Sequence, residues 1–495
     1  MEFSPSSATS AKTPPVPELG LECGDHQEVS GCENPRDWPR ARRFIFVVGA
    51  CIAPFAMIYG NSIYVASIPG VIERFGVSTT LAISPISFYC LGQIIGPPIA
   101  ASFSEFFGRK WIMRISIPMA LLFTALGGAA KNFETLVIYR FLSSLAISPA
   151  GTVSVGIVND LWDVALSKTG TLLALTVALM NLLPAAIGSS TGAALVTLTD
   201  DWRWTFWLNA ILLGGIVLLT FPVPETYHLY LAKKHNKNKG ASVSPINYKR
   251  TLRMAFTRPL YMLLIEPVVL PTSLACAILQ AILFCWYIAY PVIFKRVYQF
   301  TEKEQGLAFL PILGGNILGV LVIGICDKLK YQKAREAAIK TDTKVEPELR
   351  LIAACIGSVT APVSIFCNLL TLLQSGLHGL HDRKLHWIAP MLSGVLFGIS
   401  HATVAMSYTV YKNDIYGAEY GASAFAGEVM LRYVLSAATP LFWVQAMERL
   451  RINWSTSLLG FISLTLVPVP WVLIQYGPYL RSKSKYIPVG LDPRR

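Results

Sequence analysis

Leu91-Gly92-Gln93-Ile94-Ile95-Gly96-Pro97-Pro98-Ile99-Ala100-Ala101, followed closely by Ser104-Glu105-Phe106-Phe107-Gly108-Arg109-Lys110, is the stretch whose reading decides the fold. An apolar run ends in an acid, a glycine and two bases, and a second apolar run starts at Trp111. A third run holds Arg140 and closes on Asn159-Asp160-Leu161-Trp162. A connection this short between two bilayer-length runs has to reverse tightly, which Gly108 permits because it has no β-carbon. The Glu105 carboxylate beside Arg109 and Lys110 can pair with a base or with a helix end. Such a junction reads as a conformational hinge between two membrane helices.

The composition agrees. Hydrophobic residues make up 53% of the 495 and charged residues only 14%, against roughly 25% charged in soluble domains. Each helical residue rises about 1.5 Å, so about 20 apolar residues cross the hydrocarbon core. Runs of that size are 44–68, 81–103, 111–130, 136–158, 171–195 and 204–221, then 267–293, 307–326, 351–373, 387–411, 422–444 and 459–476. These twelve runs, called spans 1 to 12, predict an all-α membrane protein of two six-helix bundles, 44–222 and 259–480. Residues 1–43 are rich in Pro, Ser and Glu and read as a disordered cytosolic tail, with 481–495 as a second cytosolic tail. Arg40, Arg42 and Arg43 precede span 1 and hold the N-terminus in the cytosol, an orientation that puts about 30 Lys and Arg inside and about 10 outside. The net charge of +13 is therefore explained by topology and implies no nucleic acid. The lysine-rich stretch 223–258 reads as a cytosolic linker near anionic headgroups, with a regulatory segment as the alternative.

The halves repeat one another. Leu91-Gly92 stand before Glu105 as Leu313-Gly314 stand before Asp327, and Asn159-Asp160-Leu161-Trp162 at the end of span 4 recur as Asn413-Asp414-Ile415-Tyr416 at the end of span 10. Asp327 and Asp414 thus join the hinge set of Glu105, Gly108, Arg109, Lys110 and Asp160. Parallel duplication of six-helix bundles is an arrangement in which a central site opens alternately to either face, so the repeat points to transport.

The stretch from Ser104 through Lys110 resembles the loop between spans 2 and 3 of the major facilitator superfamily of secondary transporters, whose motif runs roughly Gly-x-Leu-Ser-Asp/Glu-x-x-Gly-Arg-Arg/Lys. Ala101 stands where that family usually has Gly, and Ser102 where fungal members often have Pro. Arg140 is similar to the span-4 arginine of the proton-coupled members. Pro184, Gly188 and Gly192 in span 5 resemble a degraded form of the Gly-Pro-rich motif of the antiporter branch; small residues at that interval also clear a stripe for close helix packing. Arg258-Pro259 through Glu266-Pro267, and Asp201 through Trp207, resemble segments of fungal drug:proton antiporters, the latter stretch reading physically as an interfacial aromatic belt with an anchoring Arg. The resemblance covers nearly all of 44–476. It implies the twelve-span major facilitator fold and export of a drug, toxin or secondary metabolite driven by a proton gradient, without a cofactor.

An ionisable residue inside a span costs roughly 2.5 to 3.5 kcal/mol on insertion scales and needs a partner, water or a function. Arg140 either snorkels to the headgroups or faces a central cavity, where it would depress the pKa of an acid or hold an anionic substrate group. Glu266 is drawn into or against the bilayer, as a proton carrier or as an interfacial carboxylate near Arg258. Glu428 and Arg432 lie four apart with the acid first, which places them on one helix face as a structural pair or as part of a charge relay. His401 reads as a satisfied buried imidazole or a proton relay. Asn61, Tyr59, Tyr64, Tyr287, Tyr290 and Tyr408 are candidate linings for a flat amphipathic molecule.

Nine scattered cysteines without metal-ligand spacing read as free thiols. The absence of a P-loop, HExxH or nucleophile elbow argues against an enzyme and against ATP-driven transport. Asn453-Trp454-Ser455 is a glycosylation sequon expected in the outer connection between spans 11 and 12. The expected partners are a small organic substrate, protons and the bilayer. The chain is expected to act as a monomer in the cell membrane, with a vacuolar or other internal membrane as the alternative. Uptake or exchange of a polyamine or other nutrient, and a non-transporting receptor, are the competing functions.

Overall fold

The turn at Gly108 sits between helices Thr79–Phe107 and Arg109–Gly128, which are spans 2 and 3. Its φ of 85° is open to glycine, and a β-carbon there would meet the Glu225 carboxylate at 2.1 Å. The computed structural model describes residues 35–162, 168–227, 230–231, 248–341, 345–377 and 386–486. Among them every regular element is helical. Nine helices are long and apolar enough to cross a membrane, ten if the bent pair Leu175–Leu182 and Pro184–Thr199 is one span, and Trp204–Thr220 is a shorter apolar helix.

Span 1 is Arg40–Ser62, prolonged through a 3-10 turn, Ile63–Ser67, into Ile68–Phe75. Span 4 is Phe133–Leu161, and span 5 is bent by 40° where Pro184 restarts the helix. Span 7 is Val269–Tyr298, span 8 Leu310–Cys326 and span 9 Ile352–Leu377. Helical residues then run from Ile388 to Leu464, and the chain reverses within them. Gly417 takes φ 60°, after which Gly421 lies back against Asn413. Later Gly460 lies against Phe366 and Gly477 against Glu348, so spans 10, 11 and 12 are three antiparallel passes. Span 12 ends with Pro468–Ser482.

Apolar side chains turn outward along this bundle, as lipid demands: Leu198, Leu218, Leu264 and Ile211 are each at least 66% exposed. One core is confined to the N-terminal half, around Val47, Ala53, Ile117, Ala150 and Ile157. The larger core joins the halves, with Tyr64, Ile83 and Cys90 against Leu279, Tyr287, Phe294 and Tyr433. A second seam runs the depth of the molecule between span 5 and spans 8 and 10. Toward the outer end Ser190 Oγ donates to the Gly306 carbonyl (2.7 Å), deeper Asn316 Nδ2 donates to the Leu182 carbonyl (3.4 Å), and toward the cytosol Leu175 and Ala178 pack near Val320 and Ile323. The halves are thus closed on each other at the centre.

Several expectations change. The linker expected at 223–258 is not free throughout: 223–227 is tied to the first half through Glu225, and helix Tyr248–Ile265 carries the chain past the expected boundary at 259. Residues 232–247, with much of the lysine run, lie outside the described residues, as do 1–34 of the N-terminal tail and 487–495 of the C-terminal one. Asn453 is half-buried on a helix and Ser455 of its sequon is buried, where an outer loop was expected, because the membrane-spanning helix already starts at Asn453. Trp202 is 5% exposed, against Gly70, Phe75 and Phe206, so it is core; Trp204 and Trp207 alone fit the interfacial belt.

Candidate functional site

Span 4 places Arg140 seven residues from its outer end, and the side chain turns inward to 4% exposure. Snorkelling is therefore ruled out. Arg140 Nη1 donates to the Gly60 carbonyl (2.6 Å) and Nη2 to Asn61 Oδ1 (3.2 Å), while Nε has no partner. Both acceptors lie just before span 1 leaves α-helical geometry, at Ile63. The guanidinium lies 4.3 Å from the Tyr89 ring centroid, 4.7 Å from Tyr64 and 5.8 Å from Phe206. Asn61 Nδ2 reaches Cys90 Sγ, Tyr64 OH donates to the Ala82 carbonyl and Tyr89 OH to the Met57 carbonyl. No carboxylate of a described residue pairs with Arg140, so the nearby acid expected there is missing.

In the second half the pair Glu428–Arg432 becomes a trio. Glu428 is fully buried and accepts from Lys412 Nζ on span 10 as well as from Arg432 Nη2. Lys412 is 1% exposed. Buried Arg432 Nε has no partner. His401 Nε2 meets Gln280 Oε1 of span 7 at 3.2 Å and its ring stacks on Phe397, whereas Nδ1 is unpartnered, so the imidazole is only half satisfied. Tyr433, next to Arg432, belongs to the buried cluster that also holds Cys90 of the first half. Asn61, Tyr64, Tyr287, Tyr290, His401 and Tyr408 are each at most 4% exposed, with Tyr290 stacked on Trp286. Tyr59 bonds Thr191 of span 5 at 2.9 Å.

The cytosolic ends carry a duplicated clasp. Arg109 Nε pairs with Asp160 at 3.2 Å, and the Arg109 and Lys110 backbone N–H groups donate to Glu225 at the N-terminus of span 3. A carboxylate at a helix start meets unpaired N–H groups and the positive end of the dipole. Burial pushes the Asp160 carboxyl above the ordinary range, and Arg109 partly offsets this. In the second half Arg350 pairs with Asp327 and with Asp414 (3.1 Å), its guanidinium over Tyr331. The repeated aromatics do matching work: Trp162 stacks under Arg43 before span 1, and Tyr416 OH donates to Glu266 before span 7. Glu105 is in the helix, but its side chain lies outside the described residues.

Glu266 is 1% exposed, as its apolar surroundings suggested, yet it does not reach the centre. It accepts from Tyr416 OH (3.0 Å), Ser484 Oγ (2.6 Å) and the Lys485 backbone N–H (3.0 Å), a saturated clasp that holds the start of the C-terminal tail at the cytosolic face. Span 5 uses its small residues to approach span 1: β-carbons at Gly188 and Gly192 would meet Ser62 Oγ and the Ile63 carbonyl, and the Pro184 carbonyl accepts from Ser62 Oγ at 2.6 Å. The seven cysteines of the described residues are free thiols, and no cluster of three or more His, Cys, Asp and Glu among these residues could hold a metal.

A family model described as Major Facilitator Superfamily matches residues 50–440. The chain belongs to that superfamily. Among curated proteins this major facilitator is 30% identical to "Polyamine transporter 4" of Saccharomyces cerevisiae, over 92% of this chain and 72% of that one. It is 30% identical to "Efflux pump FUB11" of Gibberella moniliformis (92% and 76%) and 31% identical to "MFS-type transporter phm3" of Pyrenochaetopsis sp. (93% and 94%). A crystal structure of a D-xylose-proton symporter matches its fold with TM-score 0.63 at 15% identity, over 90% of this chain and 98% of that one. The protein is a multi-pass membrane transporter of small substrates and not an enzyme.

For this major facilitator, residue pattern alone missed Lys412, Glu225, Arg350, Gln280 and Tyr89. Lys412 had a readable signal: it is a lysine next to Tyr411, at the end of an apolar run and opposite the only span that carries an acid. Glu225 and Arg350 lie beside span ends, where charge is usual, and nothing local marks their partners.

Proposed function

We propose that this transporter exports a small organic compound against proton entry, by alternating access around a centre formed by Arg140 in one half and the Lys412–Glu428–Arg432 trio in the other. The observation that carries the reading is Glu428, the sole Asp or Glu within the twelve apolar runs, fully buried and bridging two cations. A proton taken up by Glu428 would weaken its bonds to Lys412 and Arg432 and free them to repack, so protonation would bias which face is open. The span-5 packing on span 1 and the relatives named as efflux pumps support the export direction. Glu266, saturated at the cytosolic edge, serves in this reading as a structural clasp and not as the proton carrier. One chain suffices for the cycle.

The test is substrate movement in proteoliposomes under an imposed pH gradient. Glu428→Gln is expected to abolish uphill, gradient-driven efflux and to retain exchange without a gradient, whereas Glu266→Gln keeps gradient-driven efflux. Uphill transport by Glu428→Gln at the wild-type rate would remove the assigned role, and substrate and protons moving in the same direction would overturn export.

A further inference from the structure

We infer that the centre of this transporter selects an amphipathic organic anion, a compound that joins a carboxylate to a flat apolar body. The inference rests on the reading of the Arg140 and Glu428 region as the substrate site and adds the charge class that region accepts.

The twelve apolar runs hold Arg114, Arg140 and Arg432 against the single acid Glu428, with Lys412 directly after span 10. Arg114 belongs to the cytosolic end, where it donates to the Phe221 carbonyl. That leaves three cations, Arg140, Lys412 and Arg432, against one carboxylate, which already engages the last two. A cationic substrate would find repulsion and no free acid there. Polycations fare worse with every added charge.

Arg140 supplies the second argument. Its guanidinium is 4% exposed and neutralised by nothing stronger than a backbone carbonyl and an amide oxygen, with Nε unpaired. A buried charge without a counter-charge is costly, and an anion bound beside it lowers that cost. The planar fork of arginine suits a carboxylate, because two parallel N–H···O bonds fix its orientation as well as its charge. Unpartnered Arg432 Nε and His401 Nδ1 add polar atoms on the opposite half. The surroundings supply the apolar part: Tyr64, Tyr89 and Phe206 surround the guanidinium, while Trp286, Tyr290 and Phe397 stack in the other half. In this closed arrangement the rings pack on the guanidinium and on one another, and they are the surfaces a flat, singly charged ligand would meet once the halves part.

Binding without a gradient tests this separately from proton-driven export. The full-length protein in nanodiscs is titrated with 2-naphthoate, indole-3-acetate and decanoate, and in parallel with 2-naphthamide, 2-naphthylmethylammonium and spermidine, and tryptophan fluorescence and melting temperature are read. At least one carboxylate is expected to bind at least about tenfold tighter than the amide and the ammonium, the ratio a single charge-assisted hydrogen bond supplies. Arg140→Gln is expected to erase that ratio and Arg140→Lys to keep part of it. Should Arg140→Gln fail to fold, Arg432→Gln and the salt dependence of naphthoate binding to the wild type carry the same comparison. Equal or tighter binding of spermidine or the ammonium, no carboxylate binding at millimolar concentration, or an unchanged ratio in Arg140→Gln overturns the inference. Carboxylate binding without proton-driven movement would instead defeat the export reading and leave the substrate class standing.

Discussion

Glu428→Gln should be the most damaging single substitution in the second half, and the geometry says by how much. The carboxylate is fully buried and holds Lys412, itself 1% exposed, and Arg432, whose side chain is 16% exposed. Neutralising it leaves a buried ammonium with no anion, which is expected to destabilise by about 3–5 kcal/mol. Lys412→Met removes one donor but leaves Glu428 paired to Arg432, so about 1–3 kcal/mol is expected. In the double variant Lys412→Met/Glu428→Gln only Arg432 is left unpaired, and its partial exposure lets water reach it. The double variant should therefore be more stable than Glu428→Gln alone, a coupling of about 1–3 kcal/mol in a double-mutant cycle. Thermal unfolding of detergent-solubilised protein, followed by tryptophan fluorescence, gives the order: wild type, then Lys412→Met, then the double variant, then Glu428→Gln. If Glu428→Gln melts within error of wild type, or the double variant melts below it, the trio is not the buried network described.

Gly108→Ala should lower the melting temperature, since φ 85° with ψ 164° is essentially restricted to glycine and carries about 1–3 kcal/mol of strain in other residues, and its β-carbon would also meet the Glu225 carboxylate; Gly76→Ala, at positive φ in open space, is the control that separates the clash from the strain. Asp160 has its carboxyl raised by burial, so the folded state binds that proton more readily than the unfolded chain and the associated stability is lost as pH rises. Wild type should therefore gain stability relative to Asp160→Asn as the pH falls from neutral toward the ordinary carboxylate range, and a relative loss in the melting curves would contradict the assignment.

What the residue pattern reveals and what it hides divide along a physical line. Apolar runs, the basic cytosolic face and the glycine turn at Gly108 follow from solvation and local sterics, so they are legible residue by residue. Glu428 and Arg432 were legible because four residues is a helical interval. Lys412 is marked as a charge at the end of an apolar run, but its partner is hidden, because the bond to Glu428 depends on the reversal at Gly417. Glu266 shows the opposite failure: its apolar context correctly signals burial, but Ser484 and Lys485, more than 200 residues away, turn a candidate proton carrier into a saturated clasp. The acceptors of Arg140 are a main-chain carbonyl and an asparagine at the end of span 1's regular helix, and neither is marked by charge.

The placement of the charges also says which parts of the molecule move together. Among the described residues all seven ion pairs join residues of the same half: Arg109–Asp160 and Arg203–Asp201 in the first, and those of Arg350, Lys412, Arg432 and Arg481 in the second. The residues expected as a hinge between conformations, from Gly108 through Asp414, therefore act within each half, where they lock the cytosolic ends of neighbouring spans. Across the halves the polar contacts are of another kind, a hydroxyl on a carbonyl at Ser190–Gly306 and an amide on a carbonyl at Asn316–Leu182. Such neutral bonds are each worth about 0.5–1.5 kcal/mol, and small residues such as Gly306 against Ala193 present a smooth surface to slide on. Strong ties inside each bundle and weak ones between them are what a rigid-body rocking motion requires. Within the second half the Glu428 trio is a buried ion network, so it is where the protonation we propose would act.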